Sequence, residues 1–552
     1  MAYVITQPCC NDASCIDVCP VDCIRPAPGD PAFATAEMLY IDGATCIDCG
    51  ACTDACPVGA IFPDNELTDF DLRYAAINAD YFAAHPLEPV SPPPTAPRFP
   101  ERESPLRVAI VGAGPAACYA AEELLRLGRR SVEVEMFDRL PTPWGLVRAG
   151  VAPDHAGTKA VTESFRSMLS KPTFNFHLNV EIGHHLTHDE LLEHHHAVLY
   201  AVGASADRRL NVPGEDLAGS HPATEFVGWY NGHPDHAGHT FDLSGERAVI
   251  VGNGNVALDV ARILLTDPDE LARTDIAEHA LAALRESRVR EVVVLGRRGP
   301  AQAAYTSPEF LALGRLADLD VVIDPAELSE ESGSGEGGLK VELAAEYAGR
   351  TLDPAKKRIV FRFLTTPTEI HGADRVHSIT VGNNVLMAGP DGTIQAHPTG
   401  RTEVITTSLV LRSIGYRGVP VPSLPFDDAG GVLPQADGRV LDPVTGEPLT
   451  GVYTAGWIKR GASGVIGTNK WCAKETVAAL VEDARAGLLS DSVRSAVDLA
   501  ALVADRQPDA IDGAGWASID RAERQRGKDR GRPRIKLTEV GPMVALARGR
   551  TA

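Results

Sequence analysis

Cys46, Cys49, Cys52 and Cys56 form a Cys-x2-Cys-x2-Cys-x3-Cys run that Pro57 closes. Three thiolates at this spacing wrap the corners of one iron–sulfur cluster, while the fourth, turned aside before the proline, reaches a second cluster. A matching run precedes it at Cys9, Asp12, Cys15 and Cys19-Pro20, with Asp where the second thiolate belongs. The crossed pattern assigns Cys19 with Cys46, Cys49 and Cys52 to one [4Fe–4S] cluster, leaving Cys9, Cys15 and Cys56 for the other. Three thiolates suit a [3Fe–4S] cluster. Asp12, a harder oxygen ligand, offers a weaker hold on a fourth iron that would convert it to [4Fe–4S]. Cys10 can stand in for Cys9 if the loop shifts by one residue, although the spacing favours Cys9. Cys23 falls outside both runs and reads as a small buried residue. Zinc is the competing chemistry, but a zinc site does not call for Cys-Pro at the end of each run.

Two glycine turns supply a second kind of chemistry. Arg107-Val-Ala-Ile-Val runs into Gly112-Ala-Gly114-Pro-Ala116-Ala and then a helical stretch. That order of strand, tight turn and helix aims free N–H groups at a pyrophosphate. The next apolar strand, Val132 to Phe137, ends in Asp138, which accepts from ribose hydroxyls and repels a 2′-phosphate. FAD fits this turn, with NAD as the alternative. The second turn is Ala248-Val-Ile-Val-Gly252-Asn253-Gly254-Asn255-Val256, and its following strand ends in Arg297-Arg298. Paired guanidiniums there suit the 2′-phosphate of NADP(H). A solvated strand end is the plainer account of those arginines.

These residues need elements to hold them. The sequence predicts an α+β iron–sulfur module followed by α/β dinucleotide-binding folds of the Rossmann type. The module spans 1–84, and a proline-rich spacer follows at 85–105. Glu327 to Gly338 reads as a solvated loop. At 552 residues, 44% hydrophobic and 23% charged, the chain has the composition of a globular protein of several domains. Nine of its 11 cysteines lie in the first 56 residues, which serves metal rather than disulfides and implies a reducing, cytoplasmic setting. A net charge of −22 argues against nucleic acid as a partner, and no apolar stretch is long enough to insert in a membrane.

Roughly the first 65 residues, including Val21-Asp22-Cys23 and Val58-Gly59-Ala60-Ile61, resemble seven-iron bacterial ferredoxins. From Leu106 onward the chain resembles adrenodoxin reductase and its bacterial relatives, NADPH–ferredoxin reductases with FAD. The matching stretches are Leu140 to His155, Gly252 to Asp259 and Gly456 to Asn469. As a whole it is similar to bacterial ferredoxin/ferredoxin–NADP reductase fusions. The resemblance implies that Ala116, Asp138, Leu146, Val180, Trp457, Gly464, Val465 and Ile466 touch FAD. It implies that Asn253, Gly254, Asn255, Val256, Arg297, Arg298, Glu309 and Gly464 touch NADP. It further implies an FAD domain at 106–205 and 416–552, interrupted by an NADP domain at 206–415.

The expected chemistry is ferredoxin–NADP+ reduction or its reverse. NADPH gives up a hydride, flavin accepts it and releases electrons singly, and the clusters pass them to an external one-electron acceptor such as a ferredoxin or cytochrome. The alternative is an electron-input flavoprotein serving an organic substrate, as in the small subunit of glutamate synthase. His155 reads equally as a residue tuning the flavin site or as a core histidine. His184, His185, His188 and His194 to His196 invite a metal reading, but a polar helix face accounts for them better. Lys459 and Arg460 read as docking residues for an acidic ferredoxin or as solvated cations. Cys118 and Cys472 are single, so a disulfide-reductase reading lacks its cysteine pair.

Overall fold

A computed structural model describes residues 2–87, 99–100, 104–328, 337–390 and 393–549. Most of the proline-rich spacer and most of the Glu327 to Gly338 loop therefore lie outside the described residues.

In the N-terminal module, strand Tyr3–Ile5 pairs antiparallel with Ile61–Pro63, and Ile24–Arg25 pairs antiparallel with Tyr40–Ile41. Val4, Ile5, Ile24, Ile41 and Ile61 seat these short strands in an apolar core, and a buried polar residue ties them together. Asn78, on helix Leu72–Ala84, accepts from the Ile5 and Ile41 N–H groups and donates to the Ile5 and Tyr74 carbonyls. Every hydrogen-bonding capacity used here would cost free energy if left empty in the interior.

The first α/β fold is a seven-stranded sheet in the order Gln435–Ala436, Arg439–Leu441, Pro448–Thr454, Ala197–Tyr200, Leu106–Val111, Val132–Asp138, Phe174–Leu178. Its strands come from two distant stretches of chain, and the pairs from Pro448–Thr454 to Phe174–Leu178 are parallel. The second is an all-parallel six-stranded sheet, ordered Ser220–Pro222, Leu409–Arg412, Arg247–Val251, Glu291–Leu295, Lys357–Arg362, Leu319–Ile323. Central strands such as Leu106–Val111 are buried at every position, as parallel strands covered on both faces must be. Where the chain passes between the two folds, Ala206–Asp207 pairs antiparallel with Tyr416–Arg417. A three-stranded antiparallel sheet, Thr365–His371, Ser378–Ala388 and Ile394–Thr406, is an addition that the motifs did not foreshadow.

Two charged ties fix the folds against each other. Arg262, on the helix after the second glycine turn, pairs with Asp154 at 2.8 Å and Asp259 at 2.7 Å. Asp275 lies 2.6 Å from Lys159 and 2.9 Å from Lys536. The two lysines hold the Asp275 carboxyl well below the usual carboxylate range against the opposing effect of burial.

The histidine run departs from expectation. Thr187 and Glu190 do form a capping box for helix His188–His194. Yet His188, His194, His195 and His196 are all buried rather than forming a polar face. The helix leads directly into strand Ala197–Tyr200, which is covered on both sides. His188 Nδ1 bonds the Tyr200 hydroxyl, His195 Nδ1 donates to the Leu191 carbonyl, and His196 Nδ1 accepts from the Arg107 N–H.

Candidate site: two cysteine nests and two nucleotide turns

Each cysteine run opens a short helix, Ser14–Asp17 and Ala51–Ala55, and the backbone before each is left-handed, at Ala13 (φ +59) and Gly50 (φ +73). The thiols collect into two nests. Cys19, Cys46, Cys49 and Cys52 line one small cavity together with Cys23, while Cys15 has Cys9, Asp12 and Cys56 beside it and feels Cys52 more weakly. The spacing predicts a crossed arrangement, and these groupings are compatible with it. Cys10 is buried as well, with Asp12, Cys9 and Cys56 around it. Cys23 is buried, with its Sγ 3.5 Å from that of Cys19. Burial pushes the Cys9 thiol up to about 12 and the Cys52 thiol up to about 11, which disfavours the free thiolate at neutral pH. In a zinc site, three sulfurs would sit only about 3.8 Å apart. Among the described residues, no three cysteines come within 4.8 Å of one another.

The nests differ in exposure. Cys49 and its neighbour Ile47 are exposed, so the four-thiolate nest opens to solvent. The nest with Asp12 faces the rest of the protein. There, the Gly467 N–H donates to the Cys10 carbonyl at 2.7 Å, and Lys470 reaches Asp12 at 3.1 Å and the Ser14 hydroxyl at 2.7 Å. Phe33 packs edge-to-face on Trp471 at 5.9 Å. A second set of contacts reaches the other nucleotide fold. Gln7 donates to Glu309 at 3.1 Å, Glu37 accepts from the Ser307 N–H at 2.7 Å and pairs with Lys340 at 2.8 Å, and Arg73 pairs with Glu346 at 2.8 Å. The iron–sulfur module thus bridges both folds.

At the first turn Gly112 has φ +105, and a Cβ there would lie 2.4 Å from the Ala201 carbonyl oxygen. Asp138 accepts from the Ala113 N–H at 2.7 Å and the Leu140 N–H at 2.8 Å. Burial pushes its carboxyl up, and these two N–H groups hold it down. Val180, buried, donates its N–H to the Asp138 carbonyl. Gly114 touches Gly145, whose helix carries the exposed Leu146. Ala116 packs against Gly456, which precedes Trp457, and the Trp457 indole N–H donates to Ser463 at 3.0 Å. Gly464 has φ +75 and sits against Thr468, whose hydroxyl accepts from the Val465 N–H. Ile466 adjoins Gly467 at the module junction. Lys459 and Arg460 are half-buried, and both have neighbours within the protein: Lys459 bonds Glu475 and Thr476, and Arg460 bonds Ser463 and Asn469.

At the second turn Gly252 has φ +109, and its Cβ would meet the Ser413 carbonyl oxygen at 2.1 Å. Gly254 caps helix Asn255–Leu265, whose first turn includes Val256. Asn253 accepts from the Ala304 N–H, and Asn255 accepts from the Thr306 N–H at 2.8 Å, so both side chains shape the loop beside the turn. Arg297 is exposed and Arg298 half-buried, and neither guanidinium has a carboxylate partner among the described residues. Glu309 is grouped with His155 and Asp259, their ligand atoms within 4.8 Å of one another. Burial pushes the Glu309 carboxyl up, with His155, Arg262 and Gln7 pulling it back. This grouping escapes the sequence because three separate segments and the N-terminal module build it. Cys118 and Cys472 are both buried free thiols.

Residues 106–292 match the pyridine nucleotide-disulphide oxidoreductase family, and residues 39–62 match the 4Fe-4S binding domain. A probable ferredoxin/ferredoxin–NADP reductase of Mycobacterium leprae is 50% identical over 100% of this chain and 98% of its own length. The NADPH-ferredoxin reductase FprA of Mycobacterium tuberculosis is 48% identical over 81% of this chain and 100% of its own. The solved structure of that FprA in complex with NADPH superposes with a TM-score of 0.77 at 47% identity, covering 81% of this chain and 100% of that one. Among the described residues, no helix is long and apolar enough to cross a membrane. With a 4Fe-4S binding domain ahead of a pyridine nucleotide oxidoreductase fold, and a relative half identical along its whole length, the chain belongs to the ferredoxin/ferredoxin–NADP reductase family.

Proposed function

We propose that this chain carries electrons from NADPH, by way of a bound FAD, into its own iron–sulfur module and on to an external one-electron acceptor such as a ferredoxin or cytochrome. The observation that carries this reading is the junction at Gly467. Its N–H bonds the Cys10 carbonyl, so one hydrogen bond joins the Gly464-Val465-Ile466 turn to the loop holding Cys9. The FAD domain takes 106–205 and 416–552, and the NADP domain 206–415.

FAD, when bound, supplies the conversion between two-electron hydride and single-electron steps. This chain's residues hold and orient. Gly112 and Gly114 let the backbone approach the pyrophosphate, and Asp138, its oxygens fixed by two N–H groups, receives a ribose. Ala116, Leu146, Val180, Trp457 and Gly464 to Ile466 surround that place. Arg297 and Arg298, with no carboxylate partner among the described residues, grip the 2′-phosphate of NADPH, while Asn253 to Val256 present the second turn's N–H groups. Glu309, held by Gln7, stands beside that turn. Cys9, Cys15 and Cys56 hold a [3Fe–4S] cluster on the flavin side; Cys19, Cys46, Cys49 and Cys52 hold a [4Fe–4S] cluster on the solvent side. When bound, these clusters would accept and donate single electrons, the first facing the FAD domain and the second facing solvent, in a reducing cytoplasm.

Rapid mixing with NADPH tests this reading. Flavin absorbance should fall first and cluster absorbance next, with cytochrome c reduced last. A visible spectrum unmoved by NADPH would end it.

A further inference from the structure

Asp12 stands where a ferredoxin run would place a thiolate, yet its carboxylate is already engaged. One oxygen accepts from the Ser14 N–H at 3.2 Å; the other accepts from the Ser14 hydroxyl and from the Lys470 ammonium at 3.1 Å. Both charged side chains are largely out of water, 9% exposed for Asp12 and 17% for Lys470. Screening there is weak and the pair attracts strongly. The loop is also pinned from behind: a Cβ on Gly467 would lie 2.2 Å from the Asn11 carbonyl carbon and from the Asp12 nitrogen.

We propose that Lys470 is a positioning residue that holds Asp12 off the fourth-iron position, so that docking of the module on the reductase keeps the flavin-side cluster in its three-iron form. Two cations, the lysine ammonium and a ferrous ion, contest one carboxylate. The conversion balances: a [3Fe–4S] core brought to zero charge by one electron from dithionite adds Fe2+ and becomes a [4Fe–4S] core of charge 2+. The ammonium leaves the carboxylate with its protons and turns to solvent. This inference rests on the ligand assignment proposed above, and the test separates the two.

The full-length holoprotein, reduced with dithionite, incubated with ferrous iron and reoxidised, is read by EPR for the three-iron signal. The wild type and Lys470→Arg should keep that signal. Lys470→Met should lose most of it, by about tenfold, as four-iron clusters form. Lys470→Met with Asp12→Ala should recover it, because no oxygen ligand remains. Flavin content per chain reports folding, and Lys470→Gln repeats the test if the methionine variant loses its flavin. Retention of the three-iron signal in the methionine and glutamine variants, or conversion of the wild type as fast as theirs, would overturn the role of Lys470. Zinc, or no iron at all, in that nest would overturn the ligand assignment instead.

Discussion

At Gly112 an added Cβ would strike the Ala201 carbonyl; at Gly252 it would strike the Ser413 carbonyl, and in both turns φ lies near +107 (+105 and +109). Each glycine follows a buried parallel strand, faces the residue just past the neighbouring strand, and leads into a helix capped by a second glycine. The backbone is the same device built twice. What differs stands at the end of the next strand over: Asp138, locked by two N–H groups, against Arg297 and Arg298, which have no carboxylate partner among the described residues. On the proposed reading, the backbone selects a dinucleotide and the charge one strand away selects which one. The iron–sulfur module touches the surroundings of both turns, through Gly467 and Lys470 at the first and Gln7 at the second.

The sharpest way to break this comparison is to spoil each turn separately. A left-handed backbone costs a β-carbon about 1–3 kcal/mol before any collision is counted. Gly112→Ala should yield protein stripped of flavin, while Gly252→Ala should keep its flavin and lose NADPH turnover; flavin-to-protein ratios and KM for NADPH distinguish them. Next in size is the tie between the folds. Asp275→Asn leaves two lysines facing one another and should cost about 3–5 kcal/mol, read as a lowered Tm. The sign of its pH dependence is set by the depressed carboxyl. The stability it confers is present above the unfolded-state value, near 3.9, and is lost as pH falls below it. The variant should therefore lose its deficit relative to wild type in strong acid. Replacing both Arg297 and Arg298 with Leu removes charge-assisted bonds of about 1.5–3 kcal/mol each. The kcat/KM preference for NADPH over NADH should fall about a hundredfold or more; an unchanged preference would place cofactor choice elsewhere. Smallest is Gln7→Ala, which removes one hydrogen bond of about 1 kcal/mol. It should change KM for NADPH up to about fivefold with flavin content intact.

Much of this site is legible in the sequence alone. The cysteine runs name their own crossing, because the ligand spacing is short-range and Pro57 and Pro20 fix where each run turns. The glycine turns are equally local. Contacts between remote segments were not legible. Nothing near Lys470 in sequence points to Asp12, and nothing near Gln7 points to Glu309, since both depend on how a separately folded module docks. The buried histidines misled for a related reason: a run such as His194-His195-His196 looks polar until the strand it enters proves to be covered on both faces. Lys459 and Arg460 likewise found partners across their own loop and helix.

Electron exit from the flavin through the Asp12 nest is tested most directly in full-length protein carrying Cys9→Ser with Cys56→Ser. NADPH should still bleach the flavin at the wild-type rate, while cytochrome c reduction falls at least about tenfold. Cytochrome c reduction at the wild-type rate, with the inner cluster gone, would contradict the account.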